Sequence, residues 1–293
     1  MVRNKEVWFR RKDGSTFPVL ISANNLYDND GNLIGSNSAI IDESDTYKAR
    51  KALEKANEQL KEAHRLKDEF ISIASHELRT PIQPILNYVE LSEKGLIEPK
   101  NALKIIRDQA RRLTKLANDI LDVSRIETGN LSYNMQKLMI NDILTEVVNT
   151  CKYVQFKSSK IARRISIETK LTNDVELYLD KMRISQALTN VLQNSIKFTG
   201  EGKIMVETFI LAEKGLFEIR ISDTGIGISK EILPKLFGKF VTKTAGDDDL
   251  NKHGTGLGLF ITKSIIQAHR GDIFAQNNES GKGATFVITL PLK

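Results

Sequence analysis

The sequence predicts an α+β chain of several domains: a partial antiparallel β segment, a helical hairpin that pairs into a dimeric four-helix bundle, and an α/β sandwich. Three observations carry this. Asp-Gly turns separate apolar runs within residues 1–46. Apolar residues then recur at alternating three- and four-residue steps through 53–74 and again through 103–124, with one break between them. Beyond about residue 131, helical and strand patterns are interspersed and joined by glycine-rich loops.

The 293 residues suffice for two or three domains, and 40% hydrophobic with 27% charged residues describes a globular chain. No apolar run approaches the roughly 18–20 residues that span a bilayer, and no signal peptide is visible. The single cysteine, Cys151, excludes a disulfide framework and a multi-cysteine zinc site. Both facts point to the cytoplasm. A net charge of +6 raises nucleic acid as a partner, but the basic residues are interleaved with acids, as at Arg163-Arg164 and Glu168. Cations serving a nucleotide or an acidic partner are the better fit, and no nucleic acid is expected.

Val7–Arg10, Phe17–Ala23 and Leu33–Ile41 read as strands of an antiparallel meander, separated by turns at 12–15 and 28–32. The run into Asp42 and a following helix resembles the last three strands of a PAS sensor domain. Three strands cannot enclose a ligand cavity, so a sensing half is expected ahead of Met1. From about Tyr47, Leu53, Ala56, Leu60, Ala63, Lys67, Phe70 and Ala74 form a heptad seam, expected to be a parallel dimeric signalling helix.

The seam feeds into Phe70–Pro81. Ile71, Ala74, Leu78, Ile82, Ile85 and Val89 form one apolar stripe, and His76 lies roughly 160–200° away from it. The helix therefore presents an imidazole with Glu77 beside it and Thr80 one turn on. Pro81 is expected to bend the helix there. Ser92–Lys100 breaks the helix, and Leu103, Ile106, Ala110, Leu113, Ala117, Ile120 and Ser124 continue in heptad steps. Two helices joined by a short loop leave an apolar face that a second hairpin would cover, so a homodimer is expected.

Thr128-Gly129-Asn130 closes that helix. Helices follow at about 141–156, 181–197 and 257–269, with strands at 165–169, 176–179, 203–211, 217–222, 271–276 and 284–290, expected in one mixed sheet under the helices. Four features here carry chemistry. Asn190, Asn194 and Lys197 share a helix face, where amide oxygens suit Mg²⁺ and an ammonium meets phosphate. Asp223-Thr-Gly225-Ile-Gly227 follows an apolar strand and reads alone as a simple Asp-x-Gly turn, or as a carboxylate suited to accept from an exocyclic amine beside glycines that admit a flat ring. His253-Gly254-Thr-Gly256-Leu-Gly258 opens a helix, and its exposed N–H groups suit an anion. The fourth, Gly281-Lys-Gly283-Ala-Thr285 before the last strand, is uninformative by itself. Neither a Walker sequence nor a properly placed dinucleotide fingerprint occurs.

In this order the motifs resemble those of a histidine kinase of two-component signalling over about Lys48–Leu292. The resemblance implies a PAS-like segment at 1–46, a coiled-coil signalling helix at 47–69, a dimerisation and phosphotransfer hairpin at 70–130, and an ATP-binding domain at 131–293. It implies ATP and Mg²⁺ as cofactors and a response regulator receiver domain as partner. His76 would be the phosphoacceptor, Glu77 its general base, and Thr80 would position water for a phosphatase reaction. Asn194 would hold Mg²⁺ with Asn190 supporting it, Lys197 would contact phosphate, and Asp223 would read the adenine amine. Gly225, Gly227, Gly254, Gly256 and Gly258 would shape the pocket, and Phe237 and Phe240 would anchor a mobile lid. The alanine usual after the second Asn is Ser195 here, and Asp247-Asp248-Asp249 in the lid is assigned no binding role. The 127–131 linker would be the hinge. The alternatives are a gyrase- or chaperone-like ATPase, whose relatives carry a glutamate at the position of Asn190, and a non-catalytic dimeric nucleotide-binding scaffold.

Overall fold

A computed structural model describes residues 2–158, 164–241, 255–279 and 281–292. They fall into two compact units, Met1–Ile71 and Ser72–Lys293.

In the first unit, β1 (Val2–Arg10), β2 (Thr16–Tyr27) and β3 (Leu33–Asp42) form the expected antiparallel meander. Asx turns set its register: Asp13 Oδ1 accepts from Ser15 N at 2.9 Å, and Asp28 Oδ1 from Asn32 N at 2.7 Å. Val19 is buried, whereas Trp8, Leu33, Ile34, Ile40 and Ile41 remain exposed. The helix α1 (Ser44–Glu93) follows, and its seam residues Leu53, Ala56, Leu60 and Ala63 are all exposed in the single chain.

In the second unit, α1 continues as a helix through Pro81 and Pro84, and α2 (Pro99–Glu127) returns alongside it. Gly129, in the left-handed region at φ 67°, closes α2 by donating to Ile126 O, as the sequence signal implies. The buried face of the hairpin differs from the expected stripe. Ala74 and Pro81 are buried and Leu78 and Ile85 half-buried, but Ile71, Ile82 and Val89 are exposed. On α2 the buried positions are Ala102, Leu116, Asp119, Asp122 and Val123, while Leu103, Ala110 and Ala117 are exposed. One antiparallel neighbour covers only one flank of each helix, so the heptad stripe is half served within the chain.

The rest is an α/β sandwich. Its five-stranded sheet has the order β5-β7-β8-β10-β9. β5 (Ile165–Lys170) pairs parallel with β7 (Gly202–Leu211), and β8 (Leu216–Asp223), β10 (Ala284–Pro291) and β9 (Asp272–Asn277) pair antiparallel. The helices α3 (Ile140–Ser158), α4 (Lys181–Phe198) and α5 (Gly258–Ala268) are packed in sequence, α3 on α4 and α4 on α5. Ile184, Leu188 and Val191 of α4, at helical spacing, and Ile261 and Ile265 of α5 are buried, as are the alternating Phe217, Ile219 and Ile221 of β8. The expected single sheet is corrected in one respect. The strand at Glu176–Leu179, β6, lies outside it and pairs with β4 (Gln136–Met139), which no local pattern marks. A four-residue strand made by a pairing some forty residues distant carries little signal of its own.

Candidate active site

His76 is the exposed side chain the stripe implies, at 77% of its side-chain surface. Its Nδ1 stands 3.6 Å from Glu77 Oε1. The other carboxylate oxygen of Glu77 lies 3.7 Å from Arg112 Nη2 on α2, a tertiary partner that spacing along one helix cannot show. Thr80 Oγ1 donates to His76 O at 3.0 Å and the residue is exposed.

The start of α4 is fixed by Asp180. Its carboxylate caps the helix by accepting from Arg183 N at 3.0 Å and also accepts from Asn134 N at 2.8 Å. Its own N–H donates to Nε2 of the buried His269 at 2.9 Å, so the imidazole proton sits on Nδ1 and is donated to Ile265 O at 2.7 Å. This anchors the helix that carries Asn190, Asn194 and Lys197, all half-buried. Asn190 Nδ2 reaches Gly258 O at 3.4 Å, which draws α4 to the start of α5. Lys197 Nζ lies 4.9 Å from the ring centre of Phe198.

Asp223 ends β8 and is 4% exposed. Burial raises its carboxyl pKa, and the N–H groups of Gly225 and Ala284, at 2.9 and 3.3 Å from Oδ1, pull the other way. The glycines here answer to backbone crowding as well as to a ligand. A Cβ on Gly225 would lie 2.4 Å from Phe198 O, and one on Gly283 (φ +81°) 1.8 Å from Asp223 O. Gly283 is thus a requirement the sequence alone did not single out. Gly227 is left-handed, and the loop after it is pinned by Ile228 N donating to Asn277 Oδ1 at 2.7 Å. Gly256 (φ +67°) packs on Phe240, where a Cβ would come within 2.6 Å of Cα, whereas Gly258 makes only ordinary contact with Asn190. Phe237 and Phe240 are half-buried. Gly254, His253 and Asp247–Asp249 lie outside the described residues.

The structure therefore brings α4, the Asp223 loop and the start of α5 together. It also seats α4 on α2. Arg183 Nη1 donates to both oxygens of Asp122 at 3.0 and 2.9 Å, and Gln186 Nε2 donates to Asp122 Oδ2 at 2.9 Å. Lys115 Nζ donates to Gln193 Oε1 at 3.3 Å, Thr255 Oγ1 to Asp119 Oδ2 at 3.1 Å, and Lys239 pairs with Glu127. Burial raises the Asp119 pKa, countered by Lys115 and Thr255. Lys115 follows Arg112 by three residues, about 4.5 Å along α2, so the contact begins just beside the level of Glu77. No sequence signal disclosed this contact.

Among the described residues, no group of three or more His, Cys, Asp or Glu is arranged for a metal, and no helix is long and apolar enough to cross a membrane. A half-buried amide pair beside an ammonium suits Mg²⁺ bound jointly with phosphate rather than a protein-only cage.

Residues 66–129 match the His Kinase A (phospho-acceptor) domain family, and residues 179–293 match the histidine kinase-, DNA gyrase B- and HSP90-like ATPase family. Together they account for more than half of the chain, which belongs to the histidine kinases of two-component signalling. Over 251 residues it is 32% identical to the autoinducer 2 sensor kinase/phosphatase LuxQ of Vibrio parahaemolyticus, matching 84% of this chain but 29% of that protein. Among solved structures, the histidine kinase AdeS of Acinetobacter baumannii aligns with TM-score 0.60 at 25% identity, over 74% of this chain and 98% of that one. The histidine kinase ThkA, in complex with the response regulator protein TrrA, shares the fold at TM-score 0.60 and 24% identity, over 98% of this chain and 78% of that one.

Proposed function

We propose that the chain is an ATP-dependent protein histidine kinase that phosphorylates its own His76 and passes the phosphoryl group to an aspartate of a response regulator. The observation that carries this is an exposed imidazole, its Nδ1 turned to Glu77, in one compact unit with α4 and Asp223. The neutral Nε2 attacks the γ-phosphorus of ATP, the bond from that phosphorus to the β,γ-bridging oxygen breaks, and ADP leaves. Glu77 takes up the imidazole proton as charge builds on the ring. Asp223 accepts from the adenine amine, Lys197 meets phosphate, and Gly225, Gly227, Gly254, Gly256 and Gly258 let backbone and nucleotide approach. Asn194, with Asn190 beside it, would hold Mg²⁺, which when bound neutralises charge on the β- and γ-phosphates. The domain limits proposed are 1–46 for the PAS-like segment, 47–69 for the signalling helix, 70–130 for the hairpin and 131–293 for the ATP-binding domain, with a hinge at 127–131.

A homodimer is supported by Leu53, Leu60, Ile82, Leu103 and Ala117, apolar positions exposed in the single chain. A cytoplasmic location and a receiver-domain partner go with the family. The ThkA structure contains such a regulator, and the LuxQ name includes phosphatase. A phosphatase reaction would use Thr80, so Thr80→Ala should slow dephosphorylation of a phosphorylated receiver domain. A hydrolysing ATPase is disfavoured because Asn190 is an amide and takes no proton from water. The decisive test is incorporation of γ-phosphate label into an acid-labile, base-stable adduct. His76→Gln and Asn194→Asp are expected to abolish it, and full labelling of either variant would overturn the assignment.

A further inference from the structure

The loop after Asp223 has little in itself to hold one shape. Residues 224–228 belong to no helix or strand, and two of the five are glycines, which lose the most freedom on ordering. Ile226 between them is 64% exposed, so no core packing fixes it. The anchors come from three other elements. Thr224 N donates to Lys203 O of β7 at 3.1 Å, and Ile226 N donates to Phe198 O, at the end of α4, at 3.3 Å. The third anchor is a pair of side chains, Asn277 and Asn278, where β9 runs into the turn toward β10. Asn277 Oδ1 accepts from Ile228 N at 2.7 Å while its Nδ2 donates to Ile228 O at 2.7 Å. One amide thus takes both backbone groups of a loop residue, as a neighbouring strand would. Asn278 Nδ2 donates to Asp223 O at 2.8 Å and to Lys282 O at 3.0 Å, and its Oδ1 accepts from Thr285 Oγ1 at 2.6 Å. With the Thr285 proton committed there, the 2.7 Å contact between the Ser222 and Thr285 hydroxyls is donated by Ser222. Asn278 therefore grips the loop where it leaves β8, and Asn277 grips its far end. The glycines make room for this clasp: a Cβ on Gly283 would lie 1.8 Å from Asp223 O, and one on Gly227 would lie 3.0 Å from Asn277 Oδ1. Neither asparagine lies in a motif that carries the family resemblance.

We propose that Asn277 and Asn278 are positioning residues for the nucleotide: they hold the loop from Asp223 to Ile228 in its binding shape before the ligand arrives, acting through the loop and not on the ligand. This deepens the proposed function and rests on the Asp223 loop being part of a nucleotide site. Asn277 is exposed, so water competes for its two bonds and they add little to global stability. Their effect falls on the loop alone. A loop that holds the competent shape for only a fraction of the time binds more weakly by that fraction, and two glycines supply many other shapes.

The test is calorimetric titration of the full chain with ADP and Mg²⁺, beside hydrogen exchange of the loop amides. Asn277→Ala and Asn278→Ala are each expected to weaken ADP about five- to tenfold, the effect of about one net hydrogen bond on the competent fraction. Asn277→Asp, nearly isosteric, sets an oxygen against Ile228 O and is expected to weaken ADP at least as much. Without nucleotide, the amides of Gly225, Ile226 and Ile228 should exchange faster in the variants than in wild type. Saturating ADP should return them toward wild-type protection, with β8 and β10 unchanged throughout. Lost protection spread over β8 and β10 would show a structural role only and overturn the proposal. Should Asn278→Ala fail to fold, the two variants at the exposed Asn277 decide. If they bind ADP within about twofold of wild type, the proposal falls while the nucleotide site stands. If the wild type itself binds no ADP, the nucleotide reading of the Asp223 loop falls and this proposal with it.

Discussion

At Asp223 binding and stability should pull in opposite directions. The carboxyl is buried, and burial raises its pKa above the usual 3.8 despite the N–H groups on Oδ1. A raised carboxyl pKa means that the folded chain favours the neutral form. As pH climbs from below 3.8 through the folded value, the cost of holding a buried charge is loaded onto the folded state, and it is fully present at neutral pH. Asp223→Asn removes that charge with almost no change of shape. The amide oxygen still accepts from Gly225 N, now 2.9 Å away, and Ala284 N, now 3.3 Å away. The nucleotide-free variant is therefore expected to melt higher than wild type at neutral pH. Nucleotide binding loses a charge-assisted hydrogen bond, about 1.5–3 kcal/mol, or roughly 10- to 150-fold in affinity. Scanning calorimetry with and without ADP reads both effects, because bound ligand stabilises by RT ln(1 + [L]/Kd). A variant that melts lower without nucleotide, or that binds ADP within about twofold of wild type, would refute the reasoning.

Asp122→Ala leaves Arg183 buried without its partner, both side chains being under 13% exposed, and should weaken the α2–α4 contact by about 3–5 kcal/mol. Asp122→Ala with Arg183→Leu should recover most of that, read as hydrogen exchange of the first α4 amides. Burial lowers the His269 pKa below 6.5, the Nδ1 bond to Ile265 O pulling the other way, and Nε2 is kept as an acceptor by Asp180 N, so the unfolded chain binds the proton more readily. Stability should therefore fall as pH drops through 6.5 toward the lowered folded-state value, and His269→Gln should flatten that dependence of the denaturation midpoint. Gly283→Ala would force a Cβ to 1.8 Å from Asp223 O and should abolish nucleotide binding. Gly31→Ala, equally left-handed at φ +84° but with open space around it, should cost only about 1–2 kcal/mol in thermal unfolding.

Local signals were sufficient wherever one element decides its own structure. The Asp-Gly turns gave the meander its register because Asp13 and Asp28 bond their own loops. The helix face of Asn190, Asn194 and Lys197 followed from periodicity, and so did the exposure of His76. What escaped was contributed by distant chain. Strand β4 exists through its pairing with β6, Arg112 reaches Glu77 from the other hairpin helix, and Gly283 is required because Asp223 O lies against it. The hairpin stripe misled in a different way. Its heptad period sums two demands, the neighbour within the chain and the flank left over, and a sequence pattern does not separate them.

The α2–α4 contact shows most plainly what periodicity hides. Asp119 and Asp122 lie off the heptad positions of α2, yet both are buried. They are buried because α4 and the segment at Thr255 bring Arg183, Gln186 and a hydroxyl to meet them. The contact's hydrogen bonds and ion pairs are polar links that water can replace one by one, whereas a broad apolar face would resist parting. The phosphoryl transfer to His76 proposed above would require the nucleotide to be carried to an imidazole on the hairpin. A contact that holds α4 beside α2 through Asp119, Asp122 and Lys115, and that can be exchanged for water, fits a domain that has to let go in order to reach it.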